Sequence, residues 1–98
     1  MSRKQIEIDN SKPFITPSMA CVICDALSYM VDQYAEYYTI DEDEEEKLDD
    51  LNKAREYYNT LAIMKEYTRD EFIDHRVRYS RMQERQREML LSIYESRS

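Results

Sequence analysis

Cys21-Val22-Ile23-Cys24 spells C-x-x-C, the spacing of a redox dithiol or of half a thiolate zinc site. A redox pair works at a helix N-terminus after a strand, where the dipole lowers the thiol pKa. Here the pair sits a turn inside an apolar helical pattern, with no strand before it. Zinc needs two further ligands, and the only histidine, His75, belongs to another helix. A four-thiolate site bridging two subunits is the one arrangement that would complete the set, so the pair reads first as packed core thiols. Asp74, His75 and Ser80 are triad residue types, but nothing places an oxyanion hole, and the chain has no glycine for a nucleophile elbow. No catalytic residue, metal or cofactor is expected, and the chain reads as non-enzymatic.

The other conspicuous chemistry is Asp41 to Leu51, "DEDEEEKLDDL". A calcium loop fails, because an EF-hand started at Asp41 would carry Glu46 where glycine is required and Asn52 where the bidentate glutamate belongs. A helix start explains residues 41–44, since first-turn acids gain ~0.3–1 kcal/mol each from the macrodipole. It leaves Glu45, Glu46, Asp49 and Asp50 unexplained. Glu42/Glu46, Glu45/Asp49 and Glu46/Asp50 are like-charge i,i+4 pairs, each costing ~0.2–0.5 kcal/mol, and Lys47 relieves only part of this. A plain solvated face is the leading reading; beyond it, one explanation is internal complementation by Arg76, Arg78, Arg81, Arg85 and Arg87 of a later helix. With facing residue numbers summing to about 135, Asp50 would meet Arg85 and Leu48 would meet Arg87. The other is external: Glu42, Asp43, Glu45, Glu46, Asp49 and Asp50 docking on a basic partner in the manner of a phosphate backbone.

The elements that position these groups follow from composition. The 98 residues make one domain, long enough to bury a core without disulfides or metal. Absence of glycine, where about seven would be usual, excludes phosphate-cradling loops and argues against an all-β fold with tight turns. Both prolines precede residue 18, so the rest is free of strong helix breakers. Thr16-Pro17 is a helix start, and Thr68 to Glu71 with Tyr67 and Phe72 matches a capping box with a hydrophobic staple. The pattern predicts an all-α, up-down-up antiparallel three-helix bundle over residues 16–98, with helices about 17–38, 42–66 and 69–95. Residues 1–15 read as a flexible arm. The first helix confines its polar residues to roughly 140° of arc; its apolar stripe is too wide for one neighbour and makes it central. The third helix has a poor core face in its middle, where Arg76, Ser80, Gln83 and Arg87 intrude.

Net charge of −7 argues against nucleic acid and anionic membrane as partners and favours a basic protein surface. No segment is apolar enough to span a bilayer, no secretory leader is evident, and two cysteines give no disulfide framework; the expected location is cytoplasmic. Nine tyrosines without tryptophan read first as core aromatics whose hydroxyls reach the bundle edge and second as an interface, with Tyr34, Tyr37, Tyr38 and the off-face Ile63 as a docking or homodimer surface. The leading expectation is a regulatory protein that binds and modulates or inhibits another protein, presenting a DNA-mimic-like acidic helix as small viral and mobile-element inhibitors do. A self-associating assembly subunit comes second, and nucleic-acid binding through the arginine-rich third helix last.

Overall fold

A computed structural model describes residues 15–68 and 72–97. Three helices, α1 (Pro17–Ile40), α2 (Glu44–Met64) and α3 (Ile73–Arg97), pack as an all-α bundle, with a 3₁₀ turn, Lys65–Tyr67, closing α2. Apart from Ile15, the expected N-terminal arm lies outside the described residues.

Local chemistry sets the helix ends. Thr16 Oγ1 accepts from the Met19 N–H at 3.1 Å, and Pro17 occupies the first turn, where no donor is lost. α1 runs two residues beyond the expected end and stops at Asp41, whose extended backbone turns away while its N–H donates to the Tyr37 carbonyl. α2 starts two residues later than expected. Asp43 is the N-cap, its carboxylate accepting from the Glu46 N–H at 3.1 Å. The described part of α3 begins at Ile73. Thr68 is buried, donates to the Lys65 carbonyl at 2.7 Å and accepts from Arg76 Nε at 3.3 Å; its expected box partner, Glu71, lies outside the described residues.

α1 buries Ala20, Cys21, Cys24, Ser28, Val31 and Ala35, all small or β-branched. Small side chains let backbones approach closely, and α1 packs most extensively on α2. α3 buries Tyr79, Gln83, Gln86 and Leu90 instead. These longer side chains bridge a wider gap. The core therefore has two apolar clusters: Cys21, Cys24, Leu61, Met64 and Tyr79 at one end, and Leu51, Ala54 and Leu90 at the other. Between them lies a polar layer in which Gln83 donates to the Tyr58 carbonyl and Gln86 to Ser28. Of the residues that make α3 read as a poor core face, Gln83 belongs to this layer, whereas Arg87 is exposed and Arg76 and Ser80 are half-buried.

α1 and α3 run parallel, and their register is visible in the bonds between them. Tyr79 Oη donates to the Cys21 carbonyl at 2.9 Å, and Gln86 Nε2 to the Ser28 carbonyl at 3.1 Å, both across a separation of 58 residues. Along the flank, Arg78 meets Asp25 at 3.1 Å and Arg85 meets Asp32 at 2.9 Å, both across 53 residues. Equal offsets two turns apart are the signature of parallel helices. The expected pairing of Asp50 with Arg85 is thus replaced: Arg85 bonds both oxygens of Asp32 on α1. Asp25 and Asp32 lie on the α3 flank of α1 and take these two arginines.

Candidate acidic interface

The α1–α2 corner gathers carboxylates. Asp41, Asp43, Glu45, Glu46, Asp49 and Asp50 line one open cleft of ≈ 590 Å³. Five of the six residues expected to face a partner are in it. Glu42 is exposed beside it without lining it, and Asp41 takes its place. Asp41 was legible only as a helix-start acid. Its role as the residue that ends α1 and folds back beside Asp50 depends on where the turn falls.

The shifted start of α2 changes which acids local physics explains. With Asp43 as cap, Glu44, Glu45 and Glu46 form the first turn and complement the exposed N–H groups. Asp41, Glu42, Asp49 and Asp50 are left without that reason. The bases nearby are already engaged, one of them with a carboxylate of the cleft. Lys47 Nζ donates to the Tyr38 carbonyl at 3.0 Å and lies over the Tyr38 ring at 4.5 Å, where it also satisfies the C-terminus of α1. Lys53 pairs with Asp49 at 3.2 Å. Arg97 is the one arginine of α3 with a described bond to the run, through Glu44.

Asp50 differs from the rest. It is 7% exposed, and its Oδ2 has no hydrogen-bond partner. Burial, then the adjoining Asp41 carboxyl, then the charges of Asp49 and Glu46, push its pKa up to about 6. Two carboxyls can hydrogen-bond only while one carries a proton, so the Asp41–Asp50 contact is itself a proton-dependent feature.

The tyrosine surface divides. Tyr34 is half-buried, stacked on Tyr57 with ring centroids 5.7 Å apart and edge-on to Tyr37 at 5.4 Å. Tyr38 is half-buried between Lys47 and Arg97, which donates to its hydroxyl at 3.0 Å. These two serve the bundle. Tyr37 and Ile63 remain exposed, but antiparallel pairing of α1 and α2 sets them ~22 Å apart along the axis, so they do not form one patch. What the sequence reading missed is a different surface. On the side of α1 opposite the core, Met19, Val22, Ala26, Tyr29, Tyr37 and Ile40 are all exposed, with Glu36 as the charge beside them. The signal is the width of the α1 stripe, which the sequence assigns both to neighbouring helices and, in the self-association reading, to a second copy, without saying which residues stay outside the bundle.

The cysteines are buried free thiols. Burial, reinforced by Cys21 and Asp25, pushes Cys24 up to about 11, which keeps it protonated and unreactive at neutral pH. Tyr79 is wholly buried, and burial together with its bond to Asp25 holds its phenol well above the ordinary value. Asp74, His75 and Arg78 border a small surface depression of ≈ 220 Å³, and Ser80 is not part of it. Among the described residues no group of three or more His, Cys, Asp or Glu is disposed to hold a metal ion, and no helix is long and apolar enough to cross a membrane. Compared with protein-family models, with curated proteins and with solved structures, the chain matches none.

Proposed function

We propose that this chain is a non-enzymatic regulatory protein that acts in the cytoplasm. It binds and modulates a protein partner by presenting the acidic α1–α2 corner to a basic, nucleic-acid-handling surface. The observation that carries the reading is the convergence of six carboxylates on one open cleft, to which Lys53, paired with Asp49, is the one base with a described bond. The internal explanation of the acid run needed α3 arginines against α2, and Arg78 and Arg85 serve α1. A field of one sign steers an oppositely charged partner and discriminates against others. The test is charge reversal of Glu45, Glu46 and Asp49 to Lys, which leaves the cap Asp43 and the buried Asp50 in place. A partner captured by the native chain and displaced by duplex DNA should be lost, with the helical circular dichroism unchanged; retained capture overturns the reading.

A second reading, self-association into a homodimer, is favoured by the outward face of α1. Val22, Tyr29 and Ile40 are 67%, 64% and 63% exposed there. An antiparallel two-fold pairing with residue numbers summing to about 59 would set Met19 against Ile40, Val22 against Tyr37 and Ala26 against Gln33. None of these paired residues is charged, and Glu36 is the acid that borders the seam. Sedimentation decides: a dimer dispersed by Val22→Asp with Tyr29→Asp supports this reading, and a strict monomer at high concentration rejects it.

A further inference from the structure

We infer that the α1–α2 corner contains a notch for one guanidinium group, an arginine side chain of the protein partner, centred on the Asp50 carboxylate; this rests on the acidic-interface reading above and deepens it.

Acids alone would not make a site. The independent observation is that Asp50 lines the cleft yet is buried, and that its Oδ2 lacks any donor. A buried, unpartnered carboxylate oxygen is costly, and native folds seldom leave one without a reason. The groups that face it are themselves acids: Asp41 at the end of α1, and Glu46 and Asp49 on α2. The two lysines nearest along the chain do not relieve it, since Lys47 is bonded to Tyr38 and Lys53 to Asp49. The site is therefore short of donors and of positive charge at the same atom.

Three features select the cation. Among the described residues no group of three or more His, Cys, Asp or Glu is disposed to hold a metal ion, and an organic cation brings its own hydrogen-bond donors. Asp41 and Asp50 present two carboxyls side by side, which a planar fork of N–H donors can bridge. The cleft is open at ≈ 590 Å³ and walled by Asp43, Glu45, Glu46 and Asp49, which admits a long side chain from outside. Lysine is the weaker fit, because a single ammonium cannot bond both carboxyls in one plane.

The experiment is titration of the isotope-labelled full chain with a blocked tetra-arginine peptide at low salt and pH 7.5, followed by amide shifts, with tetra-lysine, Mg²⁺ and Ca²⁺ as parallel titrants. The largest shifts should fall at Asp41 and Asp50. Asp50→Asn should weaken arginine binding ~10-fold or more, and Asp49→Asn, which removes the same charge from the exposed rim, by ~3-fold or less. Asp41→Asn should resemble Asp50→Asn. Both variants relieve charge and keep the helical signal. Equal weakening by Asp49→Asn and Asp50→Asn overturns the notch while leaving the broader acidic face standing. So does the absence of tetra-arginine binding. Tight Mg²⁺ or Ca²⁺ binding with shifts at the same two residues overturns it in favour of a metal. Failure of the broader reading is seen separately, in partner retention by the Glu45, Glu46, Asp49 reversal.

Discussion

Gln86 of α3 donates through Nε2 to the main-chain carbonyl of Ser28 on α1 at 3.1 Å, with Ser28 Oγ and Asp32 Oδ1 each at 3.3 Å. Two turns earlier, Tyr79 makes the same kind of bond to Cys21. The two bonds lie seven residues apart on both helices and share one offset of 58 residues. Apolar packing alone tolerates sliding, so polar contacts of this kind specify alignment at some cost in stability. Here they fix α3 parallel to α1 and so hold α2, with its acidic start, on the far side.

Gln86 contributes packing and bonds together, and two substitutions separate them. Its Oε1 is buried without a partner, so Gln86→Met, which keeps the length and removes an orphan acceptor, should change stability by ~1 kcal/mol or less. Gln86→Ala opens a cavity between the two apolar clusters and should cost ~2 kcal/mol or more. Urea unfolding measures both. Equal losses would show that the hydrogen bonds, and not the volume, hold this layer.

Tyr79→Phe removes one hydroxyl and leaves the ring. The hydroxyl donates to Cys21 O and to Asp25 Oδ1, each at 2.9 Å. Both acceptors keep other recourse: the carbonyl its helical bond, and Asp25 its pairing with Arg78. The expected loss is ~1–2 kcal/mol by denaturant unfolding. In a spectrophotometric titration of the native chain Tyr79 should deprotonate only as the bundle opens. Titration of all nine tyrosines as one exposed class would contradict its burial.

The sequence carried the helix count, the order of the elements and most of the acidic site, because these rest on local signals. Thr16-Pro17 reads as a start without tertiary context, and missing glycine speaks to class. What it did not carry was the arginine register. Arg85 could reach an acid on either neighbouring helix, and only the packed interhelical distances decide that it meets Asp32. Asp50 was hidden for a similar reason. In a run of acids every carboxylate looks alike, and its burial depends on the chain turning at Asp41, two residues before Asp43 caps the next helix. The polar layer was half visible, since Gln83 stood out on an apolar arc whereas Gln86 did not.

Cys21 and Cys24 should behave as core thiols. With Cys24 pushed up to about 11 by burial first and neighbouring charge second, thiolate is scarce at pH 8. A thiol reagent should label the native chain far more slowly than a free cysteine peptide, at a rate set by opening of the bundle. Addition of urea below the unfolding midpoint should speed labelling in parallel with the loss of stability. Prompt labelling of either residue in native buffer would place it outside the core.

Asp50 gives the bundle a pH dependence of unusual sign. Most native carboxylates are depressed in pKa, and their stabilisation is lost on acidification. Asp50 is raised from 3.8 to about 6, by burial and by the acids Asp41, Asp49 and Glu46. Between those two values the folded chain holds a proton that the unfolded chain has released. Stability from this group is therefore greatest below pH ~4, falls as pH rises through ~6, and is constant above. Asp50→Asn mimics the protonated form at every pH. It should raise the unfolding midpoint at pH 7.5 and leave it nearly unchanged at pH 4, so the native and variant midpoints converge on acidification. The comparison is a thermal or urea midpoint measured across pH 4–8 in both proteins. A variant less stable than the native chain at pH 7.5 would mean that the Asp50 charge is already compensated within the fold, and the guanidinium notch would lose its motive.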